Sequence, residues 1–346
     1  MSIQVYVGTS ARTGGSISGV FRRGASDGAW HHLIDGVADD THVHAVTVHP
    51  DDPATVFAAT STGLYRSRDR GGRWTRLVEP AAGEQMWSVL VHPADHRVIL
   101  TGCAPLALYR SDDAGETFRK MPHPALGERM VGCFPSRIMR MSVAPGRPDE
   151  LYAGLEVNGA MRSDNGGESW VDCSDPLVEF SKLPFYESAI LSKDKAEGML
   201  DVHAICSIPG ATFLALRMGL FRSVDRGVSW QDLGIGQHAA HLRYGRDIVV
   251  SPWDASDMFA AVADSSRGVA GRLYRSRDAG STWKQVDHSV KVQSTMMAVG
   301  LTAADRRQAH CASRKGQTFS TLDDGASWLE FGLPEGAGSA VAIACG

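Results

Sequence analysis

The sequence predicts an all-β protein, a seven-bladed β-propeller of four-stranded antiparallel blades. Three observations predict it. An eight-residue phrase returns six times and once in eroded form, a short strand pattern precedes the copies, and the two chain ends together fill one repeat. The copies are Ser67–Trp74, Ser111–Phe118, Ser163–Trp170, Ser223–Trp230, Ser276–Trp283 and Thr321–Trp328, all of the form Ser/Thr-x-Asp/Asn-x-Gly-x-x-Trp/Phe. The eroded copy keeps Asp27, Gly28 and Trp30. The closing aromatics stand at 30, 74, 118, 170, 230, 283 and 328, so the period is 44 to 60 residues. Periods of this size, with several short strands in each, are those of propeller blades.

Each element follows from local chemistry. In the phrase, the Asp carboxylate accepts hydrogen bonds from backbone N–H groups of a tight turn, and the Gly supplies a positive φ. The Trp packs beneath as an apolar plug. Before the turn runs a short strand such as Gly63–Arg66, Ala107–Arg110, Gly219–Arg222 or Arg272–Arg275, here called strand C; strand D follows the turn. Further upstream lie strands A and B, for example Val43–Val48 and Thr55–Ala59, joined through His-Pro-Asp-Asp-Pro. The 18 residues after Trp328 and the 30 up to Trp30 together make one repeat length. Ser339–Ala344 is therefore expected as strand A of a blade whose B, C and D strands are Gln4–Val7, Gly19–Arg22 and Trp30–Leu33. That pairing closes the ring and leaves no open sheet edge. The whole of 1–346 is read as one domain, with a long insertion at 171–201.

The phrase resembles the Asp-box, or BNR, repeat of sialidases, xyloglucanases, sortilin-type receptors and photosystem II assembly factors. The chain is most similar in organisation to single-domain bacterial BNR-repeat proteins of the glycosyl hydrolase type. The resemblance covers nearly the whole chain and implies the fold; the box itself is structural in those families, so it implies no activity. Sialidases have six blades and an early Arg-Ile-Pro triplet, which this sequence lacks. Tandem xyloglucanases face two propellers across a cleft, whereas one is read here.

Composition narrows the function classes. Hydrophobic residues are 43% and charged residues 21%, enough to build a core, and the formal net charge of -4 argues against a nucleic-acid partner. No apolar run approaches the ~20 residues of a membrane-spanning helix. The six cysteines (Cys103, Cys133, Cys173, Cys206, Cys311, Cys345) form no C-x-x-C pair and read as free thiols. With no export-type leader in Met1–Gly8, a cytoplasmic location is expected.

In an up-and-down blade the A–B and C–D turns share one face, and the B–C and D–A connections share the other. Length variation falls on the second face: 9–18, 119–136, 171–201, 233–244 and 264–271. An elaborated face opposite a constant one marks the site. Aligning the repeats on their A–B turns puts His44, Trp87, Met139, His203, Arg246 and Met297 at one height near the channel mouth. His42, Arg137, Asp201 and Tyr244 stand two positions earlier, and strand B ends add Glu156, Arg217, Asp264 and Arg314. Deeper positions revert to Val46, Val89, Ile205 and Ile248, as a core requires.

Chemistry assigns the roles. Glu156, Asp201, His203 and His44 are candidate acid–base groups. Arg137, Arg246, Arg217 and Arg314 suit bidentate binding of an anion, with Tyr244 and Trp87 beside them, Trp87 as a stacking ring. His42 and His44, at i and i+2, with His203 form a conceivable three-His metal site, so a divalent metal is the one cofactor considered. His238 and His241 sit in a variable loop. Arg140 and Asp247, one residue off the ring, are expected to pair across the channel. The arginines before the boxes (Arg66, Arg110, Arg162, Arg222, Arg275) recur in register and are read as scaffold. The leading expectation is a hydrolase or lyase acting by acid–base chemistry on a small anionic or sugar-like substrate. A metal-dependent version and a non-catalytic ligand-binding or assembly scaffold are the alternatives.

Overall fold

The computed structural model describes residues 2–11, 16–79, 81–122, 126, 129, 134–235 and 242–346. Seven separate four-stranded antiparallel sheets form the propeller. Blade 1 runs from Val43 to Val78, blade 2 from Gln85 to Lys120, blade 3 from Arg137 to Asp172 and blade 4 from Val202 to Asp232. Blade 5 spans Tyr244–Gln285 and blade 6 spans Met296–Gly332. Blade 7 is composite: Ser339–Cys345 pairs with Gln4–Ser10, followed by Gly19–Gly24 and His31–Leu33. Ring closure is as the repeat arithmetic predicted. Among the described residues, no helix is long and apolar enough to cross a membrane.

The core is divided as the blades are. Seven apolar clusters each lie between two successive blades; Tyr6, Val20 and Leu33 meet Val43, Val46 and Val56 where blade 7 joins blade 1. Each blade is therefore stable through its neighbours, because one twisted sheet has two apolar faces and cannot cover either alone.

The box turns show why the phrase repeats. In blade 1 the Ser67 hydroxyl accepts from the Gly71 N–H at 2.8 Å and donates to the Asp69 carboxylate at 2.6 Å, which accepts from Arg73 N–H at 2.9 Å. The same pattern holds around Ser111, Ser163, Ser223, Ser276 and Thr321, with Asn165 in place of Asp in blade 3. Each turn carries a positive φ at two successive residues, such as Arg70 (61°) and Gly71 (86°). The carbonyl of the first accepts an arginine from the preceding blade: Arg22 to Arg70, Arg66 to Ala114, Arg110 to Gly166, Arg162 to Arg226 and Arg275 to Asp324. Arg66, Arg110, Arg162 and Arg275 of the set named from sequence are thus interblade ties, and Arg22 joins them.

The 171–201 insertion departs from the all-β plan. After strand D it forms a short helix at Asp175–Phe180, a 3-10 turn at Pro184–Tyr186 and a helical turn at Glu197–Leu200. Leu177, Tyr186, Met199 and Leu200 pack into the cluster between blades 3 and 4. Glu197 is buried, and its carboxylate accepts the N–H groups of Ile190, Leu191 and Ser192 at 2.6–3.0 Å. Burial raises the Glu197 pKa, but these backbone donors and the Ser192 hydroxyl outweigh it and hold the group ionised. The loop at 190–192 is held in place by one anion.

Candidate functional site

One distortion, repeated in all seven blades, builds the channel mouth. The A–B pairing slips by one residue near the start of every strand A: between Val43 and Ala45, Met86 and Ser88, Ile138 and Arg140, Val202 and Ala204, Gly245 and Asp247, and Met296 and Ala298. In blade 7 the slip lies between Ala340 and Ala342. The residue left unpaired is His44, Trp87, Met139, His203, Arg246, Met297 or Val341, the ring found by aligning repeats plus its seventh member. A β-bulge of this kind re-aims a side chain and releases backbone groups from the ladder. Those groups are taken up across blades. His44 Nδ1 donates to Met86 O at 2.7 Å, Ser88 Oγ to Ile138 O at 2.8 Å, and His203 Nδ1 to Gly245 O at 2.6 Å.

Around the ring opens a cavity of about 500 Å³, lined by His44, Trp87, Arg137, Glu156, Arg217, Tyr244, Arg246 and Arg314 among the residues expected from sequence. Sequence reasoning did not single out Phe134, Arg267, Ile190 or Leu191, which also line it. They sit on irregular connections with no repeat register, although three of those connections (119–136, 171–201 and 264–271) stood out by length. Ile190 and Leu191 are the tips of the clamped loop, 43% and 60% exposed at the rim.

One wall is a stack of rings and a cation. His44 lies parallel to Trp87, with centroids 3.8 Å apart, and the Arg137 guanidinium sits 4.0 Å from the same Trp centroid and 3.8 Å from that of Phe134. Two groups this close to one ring centre must take opposite sides of it. Both faces of Trp87 are therefore occupied, and the expected stacking of Trp87 on a sugar ring is corrected: only its edge is available. Arg137 is also ion-paired to Glu156, Nε to Oε2 2.8 Å, although the N–H does not point along that line. Burial lowers the Arg137 pKa, against the pull of Glu156 and Asp201.

Beside Glu156 lies a buried polar knot. Asp201 Oδ2 accepts Arg217 Nε at 2.8 Å and Nη2 at 2.7 Å, with His203 Nε2 at 3.4 Å. Tyr244 Oη lies 3.2 Å from His203 Nε2. Because a carbonyl only accepts, His203 Nδ1 carries a proton, and Nε2 stands between Tyr244 Oη and the Asp201 carboxylate. Burial pushes the Asp201 pKa up, yet His203 and Arg217 dominate and hold the carboxyl well below the usual range. Burial raises the Tyr244 phenol, with Arg246 opposing. Asp201 and His203, at 2% and 3% exposed, do not line the cavity. The expectation that they touch a substrate is therefore corrected. They position Tyr244 and Arg217, which do line it.

The three-His metal site is also corrected. His42 bonds Ser10 Oγ at 3.0 Å, and His44 and His203 each tie a different blade pair. The one set of donors close enough to share an ion among the described residues is Glu156, Asp201 and His203, within 4.8 Å of one another. Arg137 and Arg217 already ion-pair with its two carboxylates. Burial, with Arg137 and His42 nearby, lowers the His44 pKa to about 4, so at neutral pH it is uncharged and presents Nε2 as an acceptor. Asp264 accepts the N–H of Ser265 and Val269 and shapes the loop that presents Arg267, rather than facing the cavity. Arg140 and Asp247 pair across the channel at 3.2 Å, as expected. His238 and His241, like Cys133, lie outside the described residues.

Charge is the salient property. Five arginines and one carboxylate line the cavity. Arg137 and Arg217 have acidic partners; among the described residues, Arg246, Arg267 and Arg314 have none within 4 Å. Arg246 Nε and Arg314 Nη2 are buried donors without a hydrogen-bond partner.

Comparison with known proteins supports the architecture. No curated protein matches the chain by sequence. A GH74 xyloglucanase from Xanthomonas campestris superposes with a TM-score of 0.63 at 18% identity, over 87% of this chain and 46% of its own. An ancestral GH74 enzyme gives 0.58 at 16%, over 88% and 38%. YCF48 bound to D1 peptide gives 0.54 at 12%, over 84% and 80%. The chain thus spans less than half the length of these two GH74 enzymes, and at such identities the likeness is one of fold. A sequence-family model matches residues 25–329, and on that match the chain belongs to the DUF6242 beta propeller domain family.

Proposed function

We propose that the channel mouth binds a small anionic substrate and acts on it as a hydrolase or lyase through acid–base chemistry. The carrying observation is the set of three guanidinium groups without carboxylate partners around one cavity. Partly buried cations need anions, and a planar fork suits carboxylate, phosphate or sulfonate. The sugar-like alternative loses support with Trp87, whose faces are occupied. In this reading Arg246, Arg267 and Arg314 bind the anion. Glu156 is the carboxylate that reaches the substrate, and Tyr244, backed by His203, is the second proton carrier. Asp201 holds Arg217 and His203 in register.

The second reading is a non-catalytic binding module, favoured by the pairing of both carboxylates with arginines. Calorimetry with a panel of small carboxylates, phosphates and sulfonates at low salt separates the two. The proposal expects binding that is lost in Arg246→Gln. Turnover of the bound anion should fall about 100-fold or more in Glu156→Gln while binding persists. Binding without turnover would favour the module, and no binding by any anion would overturn both.

A further inference from the structure

We infer that the ligand of this site carries at least two anionic groups and extends from the channel mouth outward over the junction of blades 6 and 7. The inference rests on the anion-binding reading above and names its substrate class. A second cavity of about 400 Å³ adjoins the first, and Arg267 and Arg314 line both. Lys315 lines the outer cavity, and among the described residues no carboxylate lies within 4 Å of it or of the two arginines.

Electrostatics decides between one charge and two. A single anion in the inner cavity would neutralise one or two guanidinium groups and leave the outer set facing one another. Like charges gathered at one opening repel, and Arg314, half-buried between the exposed Arg267 and Lys315, keeps a buried donor without a partner unless an anion joins it. Two anionic groups, one beside Arg246 and one at Arg267, Arg314 and Lys315, relieve that repulsion at both ends. The geometry of Arg314 fits a bridging role: Nη1 donates to Ser266 O, while Nη2 is buried with no partner. Met139, Met297 and Val341 stand in the same ring as Arg246 and also line the inner cavity, so the span next to the inner anion suits a carbon skeleton. The class is a linear organic dianion whose acidic groups are carboxylates or phosphates.

The test uses linear α,ω-dicarboxylates of increasing length, their monocarboxylate analogues and terminal bisphosphates, each titrated by calorimetry into the whole protein. At an optimal length the dicarboxylate should bind about tenfold or more tighter than the monocarboxylate, a difference of about 1.4 kcal/mol. Lys315→Ala should cut that preference at least about threefold and leave monocarboxylate affinity within about twofold, because Lys315 lines only the outer cavity. A bisphosphate advantage over the dicarboxylate would identify phosphate as the terminal group. Equal binding of mono- and dianions, or an equal loss for both in the Lys315 variant, would overturn the inference while the anion-binding proposal stood. Failure of every anion to bind would remove both.

Discussion

The two faces of the propeller are built from the same repeat and have opposite chemistry. On the box face, turn after turn repeats the same bonds, and arginines meet carbonyls or carboxylates there. Arg275, for example, is held by Asp257 at 2.6 and 2.7 Å and by the Asp324 carbonyl at 3.0 Å. At the channel mouth the backbone repeats just as faithfully, with one bulge per blade, but the side chains it extrudes differ in kind. There the charges do not balance. A feature repeated around the ring and bonded within itself and to the next blade serves the ring, whereas a repeated geometry carrying divergent, unmatched side chains serves a ligand.

Substitutions on the two faces should separate stability from binding. The largest effect is expected at Asp201, where both properties meet. Asp201→Asn leaves Arg217 and His203 without their shared anion, and urea unfolding should show a loss of about 3–5 kcal/mol. A loss below about 1 kcal/mol would mean that the knot is solvated and that Asp201 does not position Tyr244.

On the box face, Asp225→Ala removes the acceptor of Ser229 N–H at 2.9 Å and the partner of Ser223 Oγ at 2.8 Å. Stability should fall by about 1 kcal/mol with anion binding unchanged; a selective loss of binding would break the division between the faces. The box acids also set a pH dependence. Hydrogen bonds from the Thr117, Thr282 and Ser327 side chains, followed by their backbone N–H groups, hold Asp113, Asp278 and Asp323 at about 2, below the ordinary 3.8. With native values below unfolded ones, their stabilisation is complete above the unfolded value and is lost as pH falls from about 4 towards 2. Urea midpoints measured across that interval should decline, and Asp278→Ala should flatten the decline.

The smallest effect is expected at the rim. Leu191→Ala trims an exposed side chain of the clamped loop, and dissociation of a bound anion should accelerate by no more than about fivefold, the equivalent of about 1 kcal/mol. A larger change in stopped-flow release would make the loop a closing lid instead of a fixed edge.

Much of the fold was legible because its determinants are local. Ser, Asp and Gly at fixed offsets specify a turn wherever they occur, and six such turns with an eroded seventh at blade spacing leave few architectures. The repeat also carried information about height: aligning blades placed His44, Trp87 and Arg246 in one ring with no contact known. Partnership was a different matter. Whether an arginine is spent on a neighbour or left for a ligand depends on residues far away in sequence, as with Arg140 and Asp247, 107 positions apart. The occupied faces of Trp87, the buried knot at Asp201 and the scattering of the three histidines belong to the same class. Arg267 and Phe134 had no periodic neighbour to flag them, since irregular loops keep no register. Blade number, ring closure and the elaborated face follow from short-range turn chemistry written into the chain. Which side chains face the cavity, and which cations stay unmatched there, was decided by how seven bulged strands converge on one axis, where long-range packing and electrostatics govern.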